Sequence, residues 1–133
     1  KPIAYVAVLA QMDQKWLMVQ RPSTCMLANL WTVPLIPIDE LDLEEDYQPA
    51  DLVAAIQAYF LREYQLRLTA KLVAGRPVSH TFTHQKWAIQ LFDGQVEASN
   101  LAYFAGRAVT LAERQQLPMP KAQEKIFTRY EDR

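Results

Sequence analysis

One stretch of this 133-residue chain carries a clear helical period, and short strand-like runs lie on both sides of it. Over residues 51–64, Leu52, Ile56, Tyr59, Phe60 and Glu63 recur at helical spacing, and Asp51 stands where it can cap the first turn. Most of that stripe is apolar and must be buried against another layer. The runs around it supply the layer. Residues 2–9, Pro-Ile-Ala-Tyr-Val-Ala-Val-Leu, are apolar and β-branched and read as a buried strand. Met12-Asp13-Gln14-Lys15 reads as a polar turn into a return strand over residues 16–20, which Arg21-Pro22-Ser23-Thr24 breaks because proline gives a ladder no donor.

Further strands are predicted around residues 31–33, over 66–73, over 87–92 and at 108–109. Asp93-Gly94 reads as a turn closing the third of these. Thr110-Leu111-Ala112-Glu113 is a capping box that opens a short helix. Pro120 suits the first turn of a final helix, whose Ile126, Phe127 and Tyr130 pack back on the sheet. The order defines an α+β domain, a mixed β-sheet flanked by helices, in a single unit over residues 1–133.

Half the residues are hydrophobic, enough for one self-sufficient core. No apolar run is long enough to span a bilayer, and no membrane partner is expected. Cys25 is the single cysteine, which excludes an internal disulfide, a cysteine-ligated zinc site or an iron–sulfur cluster within the chain and fits a reducing compartment. The start does not read as a signal peptide, and the first residue is Lys1 rather than Met, as expected of a fragment of a longer protein. Net charge is −1, but residues 39–51 hold seven of the 15 acidic side chains and none of the 14 basic ones, so the remainder is net positive by six. The segment 39–48 is predicted to be an exposed loop, and a basic face can exist elsewhere.

Ser79-His80-Thr81-Phe82-Thr83-His84 concentrates two imidazoles, three hydroxyls and an aromatic ring between a Gly-Arg-Pro turn and a strand. A ring to stack on and hydroxyls to hydrogen-bond are what a pocket for one flat polar base needs, although such runs also occur at ordinary strand ends. His80 and His84 have a spacing that pairs imidazoles on a helix, but no H-E-x-x-H pattern accompanies them and the surroundings are strand or loop, so no metal site is expected. There is no G-x-S-x-G elbow, no glycine-rich phosphate loop and no EF-hand spacing in the acidic run. No catalytic set is complete.

Leu27-Ala28-Asn29-Leu30-Trp31-Thr32-Val33-Pro34 resembles the L-A-N/G-L-W-E-F-P signature in the C-terminal domain of adenine DNA glycosylases of the MutY type. Arg21 to Leu27 echo the segment before it, Phe82-Thr83-His84 is similar to the family's F-S-H loop, and Leu117-Pro118-Met119-Pro120 is close to its L-P-x-P ahead of the last helix. The resemblance implies a Nudix-like α/β/α fold that reads 8-oxoguanine opposite adenine in double-stranded DNA during base excision repair. It implies an upstream glycosylase domain in cis with a helix-hairpin-helix and a 4Fe-4S cluster, no cofactor in this chain, and a bacterial, cytoplasmic, nucleoid-associated setting. The site residues it implies are Phe82, Thr83 and His84, with His80 and Ser79 beside them. Arg21, Arg76 and Lys86 are candidate phosphate contacts from charge alone. Thr83 replaces a serine and keeps the hydroxyl. Thr32, Val33 and Met26 also depart from the family pattern.

Nudix hydrolases carry G-x5-E-x7-R-E-U-x-E-E-x-G-U, U being aliphatic, and hold magnesium with its glutamates. The best placement here puts Leu66 at the final U, Gln65 at the glycine, Arg62 and Glu63 at the E-E pair, Ala58 and Tyr59 at R-E, and Ala50 at the upstream glutamate. One carboxylate of four survives, too few for a hard divalent cation, so no pyrophosphatase activity is predicted. Two rivals remain open: a free-standing Nudix-type nucleotide pyrophosphatase with unusual ligands, and a protein-interaction module using Trp31 or the acidic loop.

Overall fold

The computed structural model describes residues 1–132; Arg133, the last residue of the expected domain, lies outside them. The elements run β1 (Ile3–Met12), β2 (Lys15–Gln20), β3 (Trp31–Thr32), β4 (Leu35–Pro37), a 3-10 turn (Ile38–Glu40), α1 (Pro49–Tyr64), β5 (Leu68–Leu72), β6 (Val78–Thr81), β7 (Lys86–Val96), β8 (Gly106–Val109), α2 (Leu111–Arg114) and α3 (Lys121–Glu131). The expected α+β class is borne out. The central path of the mixed sheet is β3-β2-β1-β7-β5, with β4 on β1, β6 on β7 and β8 on β2.

β1 is the hub. It pairs in parallel with β7 from Ile3↔Trp87 to Gln11↔Gln95 and antiparallel with β2 and β4. Its run is apolar on both faces because both are covered. Val6, Val8 and Ala10 enter one core with Leu52, Ile56 and Phe60 of α1. Tyr5, Ala7 and Leu9 enter the other with Ile126, Phe127 and Tyr130 of α3. Helices therefore lie on opposite faces of one sheet.

Three expectations need correction, and one strand was not expected. Asp51 is not the cap of α1: Gln48 is, the helix starts at Pro49, and Asp51 is the third residue, whose carboxylate accepts from the Gln48 N–H at 2.8 Å. Asp93-Gly94 is not a turn, since β7 runs through it. Gly94 is there because it lies across from Ala10 and Ala70, and a Cβ would sit 2.7 Å from Leu68 Cδ1. Asp93 accepts from the Tyr130 hydroxyl at 2.8 Å, tying β7 to α3. The segment 39–48 is not a free loop: Leu41 is buried and Leu43 and Tyr47 pack on the α1 core, while the carboxylates stay exposed. Finally, Leu35–Pro37 is a strand that the sequence reading did not include.

Candidate recognition hairpin

The stretch 79–84 is the end of β6 and the first half of a turn. β6 and β7 pair antiparallel with Thr81↔Lys86 and His80↔Trp87 in register. The Phe82 N–H donates to the Gln85 carbonyl at 2.6 Å, closing a four-residue turn. Neither central residue has a positive φ, so the turn needs no glycine. Thr83 and His84 fill those central positions, and both are exposed. The Trp87 indole Nε1 donates to Gln85 Oε1 at 2.9 Å, a second lock on the turn.

Below the tip is an aromatic stack. Phe82 is half-buried and meets Trp87 edge to face with ring centroids 4.9 Å apart. His80 meets Phe82 in the same way at 4.7 Å. Trp87 is fully buried and stacks on Tyr5 at 4.0 Å, an arrangement made possible by the parallel β1–β7 register. Arg21 closes the group, its guanidinium carbon 5.7 Å from the Trp87 ring centre and its Nε donating to the Met26 carbonyl at 3.3 Å. Burial pushes the Tyr5 hydroxyl pKa up, and the charge and hydrogen bond of Arg21 pull it partly back.

The expected site residues divide into three groups. Phe82, Thr83, His84 and Lys86 share one open cleft of about 580 Å³ with Pro2 and Ile3. His80 and Arg21 lie under it, on the aromatic stack. Ser79 faces a separate cleft against α3, and Arg76 is linked to that helix through its carbonyl, which accepts from Arg129. His80 is held toward the neutral form: burial lowers its pKa and the nearby Lys125 charge lowers it further. Its Nδ1 is buried without a hydrogen-bond partner. The roles of Trp87, Tyr5 and Gln85 were missed from the sequence. The position of Trp87, five residues beyond Phe82 on the strand that leaves the turn, was the one local signal for it, and nothing local pointed to Tyr5.

A second region bears on function. At the end of α1, Arg62 Nε lies 3.2 Å from Glu63 Oε2, and the Arg62 guanidinium carbon is 5.5 Å from the Tyr59 ring centre. Gln65 ends the helix in the left-handed region at φ 54° and ψ 39°. No cluster of three or more His, Cys, Asp or Glu side chains fit to hold a metal occurs among the described residues.

A mixed sheet with helices packed on its opposite faces is the architecture of the Nudix class. The chain belongs to the NUDIX domain family, whose model matches residues 5–129. Solved structures agree on the fold. A MutT protein from Methanosarcina mazei Go1 has a TM-score of 0.71 at 21% identity, covering 99% of this chain and 95% of that one. The C-terminal domain of mouse MUTYH, in a complex with human PCNA, has a TM-score of 0.67 at 21% identity, covering 99% and 89%. A NUDIX hydrolase from Nitrosomonas europaea has a TM-score of 0.70 at 17% identity, covering 99% and 90%.

The left-handed Gln65 falls where the Nudix signature has its glycine, which supports the placement of that signature on α1. In that register three of the four metal-binding carboxylates are replaced, and Glu63 alone remains. Ala58 and Tyr59 stand at the R-E pair, and Arg62 puts a cation beside Glu63 where a ligand belongs. These residues do not fit magnesium.

Proposed function

We propose that this domain reads 8-oxoguanine opposite adenine in duplex DNA, on behalf of an adenine DNA glycosylase of the MutY type whose catalytic domain is supplied in cis. The observation that carries the reading is a pair of exposed polar residues, Thr83 and His84, held at the tip of a hairpin by an aromatic stack. 8-Oxoguanine differs from guanine by an O8 acceptor and an N7 donor, so one positioned group can sense it. Thr83 offers a hydroxyl and a backbone N–H. His84 orients the tip or meets a phosphate. Phe82 buttresses the turn from below, since its ring is already engaged with two others. Replacing Phe82, Thr83 and His84 by alanine in the full-length enzyme is expected to erode its preference for adenine opposite 8-oxoguanine over adenine opposite guanine; unchanged preference would refute the role.

The likeness to a NUDIX hydrolase favours a second reading, a free-standing nucleotide pyrophosphatase, which the replaced carboxylates of α1 oppose. Incubation with 8-oxo-dGTP and magnesium separates the two: pyrophosphate release abolished by Glu63→Ala favours the hydrolase. The complex of the similar mouse domain with human PCNA lends support to a protein-docking role beside either one.

A further inference from the structure

Lys121, Lys125 and Arg129 of α3 are spaced four residues apart and all exposed, so they rise along one face of the helix in steps of about 6 Å. They line a cleft of about 530 Å³ between α3 and β6, together with Ser79 and Thr128. Two of the cations are tethered to the chain leading into the hairpin. Lys125 Nζ donates to the Ser79 carbonyl at 3.3 Å, and Arg129 Nη1 donates to the Arg76 carbonyl. A carbonyl carries no net charge, so each tether orients a cation without neutralising it, and each occupies one donor of a group that has several. The Lys125 charge is felt at His80, on the same strand as the hairpin. Glu124 and Asp132 line the cleft as well, but the ion pairs found among the described residues involve neither of them, and the three cations outnumber them.

We propose that this face of α3 is a phosphate track, which grips the backbone of the same duplex whose lesion the β6–β7 hairpin reads. The proposal rests on the reading of the hairpin given above and adds the contact that positions it. A linear row of cations suits a polymer of regularly spaced anions better than one free phosphate. Ser79 and Thr128 add neutral hydroxyl donors of the kind that also meet phosphate oxygens. The tethers fix the row at a set offset from Thr83, so a backbone held on α3 presents its bases to the tip in one register. Duplex DNA is favoured over an acidic peptide because two of the cations are tied to β6 and the segment that leads into it, and because Lys86 adds a further cation in the separate hairpin cleft.

The test is duplex binding by the 133-residue chain across a salt series, with lesion-bearing and undamaged duplexes of one sequence. In the Lys121→Gln/Lys125→Gln/Arg129→Gln variant the slope of log affinity against log salt should flatten by about 2–3, and equally for both duplexes. Between 50 and 200 mM salt the unmodified chain should then lose about 40-fold more affinity than the variant. Lys121→Gln alone, which disturbs no tether, should flatten the slope by about 0.9. An unchanged slope in both variants overturns the track, as does the absence of any duplex binding at about 20 mM salt. Displacement of the duplex by polyglutamate at equal charge concentration also overturns it, in favour of an acidic peptide. The hairpin reading is tested separately: it requires that alanine variants of Phe82, Thr83 and His84 alter the ratio between the two duplexes and leave the slope in place, and an unchanged ratio refutes that reading without touching the track.

Discussion

Phe82 and Trp87 meet edge to face across the β6–β7 hairpin, 63° between ring planes, and this contact ties an exposed turn to the buried core of the sheet. A four-residue turn with exposed central residues has little holding it except its own hydrogen bond. Here the residue that opens the turn is clamped to a fully buried indole, and that indole also donates to the residue that closes it. The tip is thereby pre-positioned, which lowers the ordering cost of any contact it makes.

Removing the clamp has a stability cost and a local signature. Phe82→Ala should destabilise the fold by about 1–2 kcal/mol, less than full burial of the ring would give, because Phe82 is only half-buried. Urea unfolding measures the loss, and faster hydrogen exchange at the backbone N–H of position 82 should accompany it.

The end of α1 carries avoidable strain. Gln65 adopts φ 54°, a conformation that costs a non-glycine residue about 1 kcal/mol. Gln65→Gly should therefore raise the unfolding free energy by up to about 1 kcal/mol, offset in part by the extra freedom of glycine in the unfolded chain. A lowered urea midpoint would show that the Gln65 side chain contributes more than its backbone costs.

Two glycines differ in what surrounds them. A Cβ at Gly106 would lie 2.1 Å from the Met18 carbonyl oxygen, while one at Gly94 first meets the tip of the Leu68 side chain. Leu68 can turn aside, whereas the β2 backbone must move. Gly106→Ala should accordingly destabilise more than Gly94→Ala, which should cost about 1–3 kcal/mol. Thermal melts of the pair test the ranking.

His80 gives the fold a pH dependence of known sign. Burial, reinforced by Lys125, holds its native pKa below the ordinary histidine value. Between that ordinary value and the lowered native one the unfolded chain binds the proton and the folded chain does not, so stability falls as pH drops through this window. His80→Gln should flatten the acidic limb of a stability–pH profile, and a proton titration of the imidazole by NMR should place it below the ordinary range.

The layered fold was readable because β1 and α1 carry their burial in their own patterns. Val6 and Val8 serve one face and Tyr5 and Leu9 the other, while Leu52, Ile56 and Phe60 form one stripe. Asp93-Gly94 was misleading because a pair typical of hairpins sits where small residues of two neighbouring strands crowd the sheet. The acidic segment hid Leu41, Leu43 and Tyr47 among charges that do stay in water. In the hairpin, Thr83 and His84 were visible as a polar tip. Their support was not, because Tyr5 and Trp87 are far apart in sequence and meet only through strand pairing. Likewise the tie between α3 and the hairpin runs through backbone carbonyls, which leave no mark in a sequence.

The central claim is that the tip around Thr83 distinguishes an oxidised purine. The most direct measurement follows the backbone amides of this chain by NMR during titration with two duplexes that differ only in carrying 8-oxoguanine or guanine opposite adenine. The account predicts that residues 81–86 shift with the lesion duplex, with Thr83 and His84 foremost, and respond several-fold less to the undamaged one. Equal shifts with both duplexes, or lesion-dependent shifts confined to residues away from this hairpin, would contradict it.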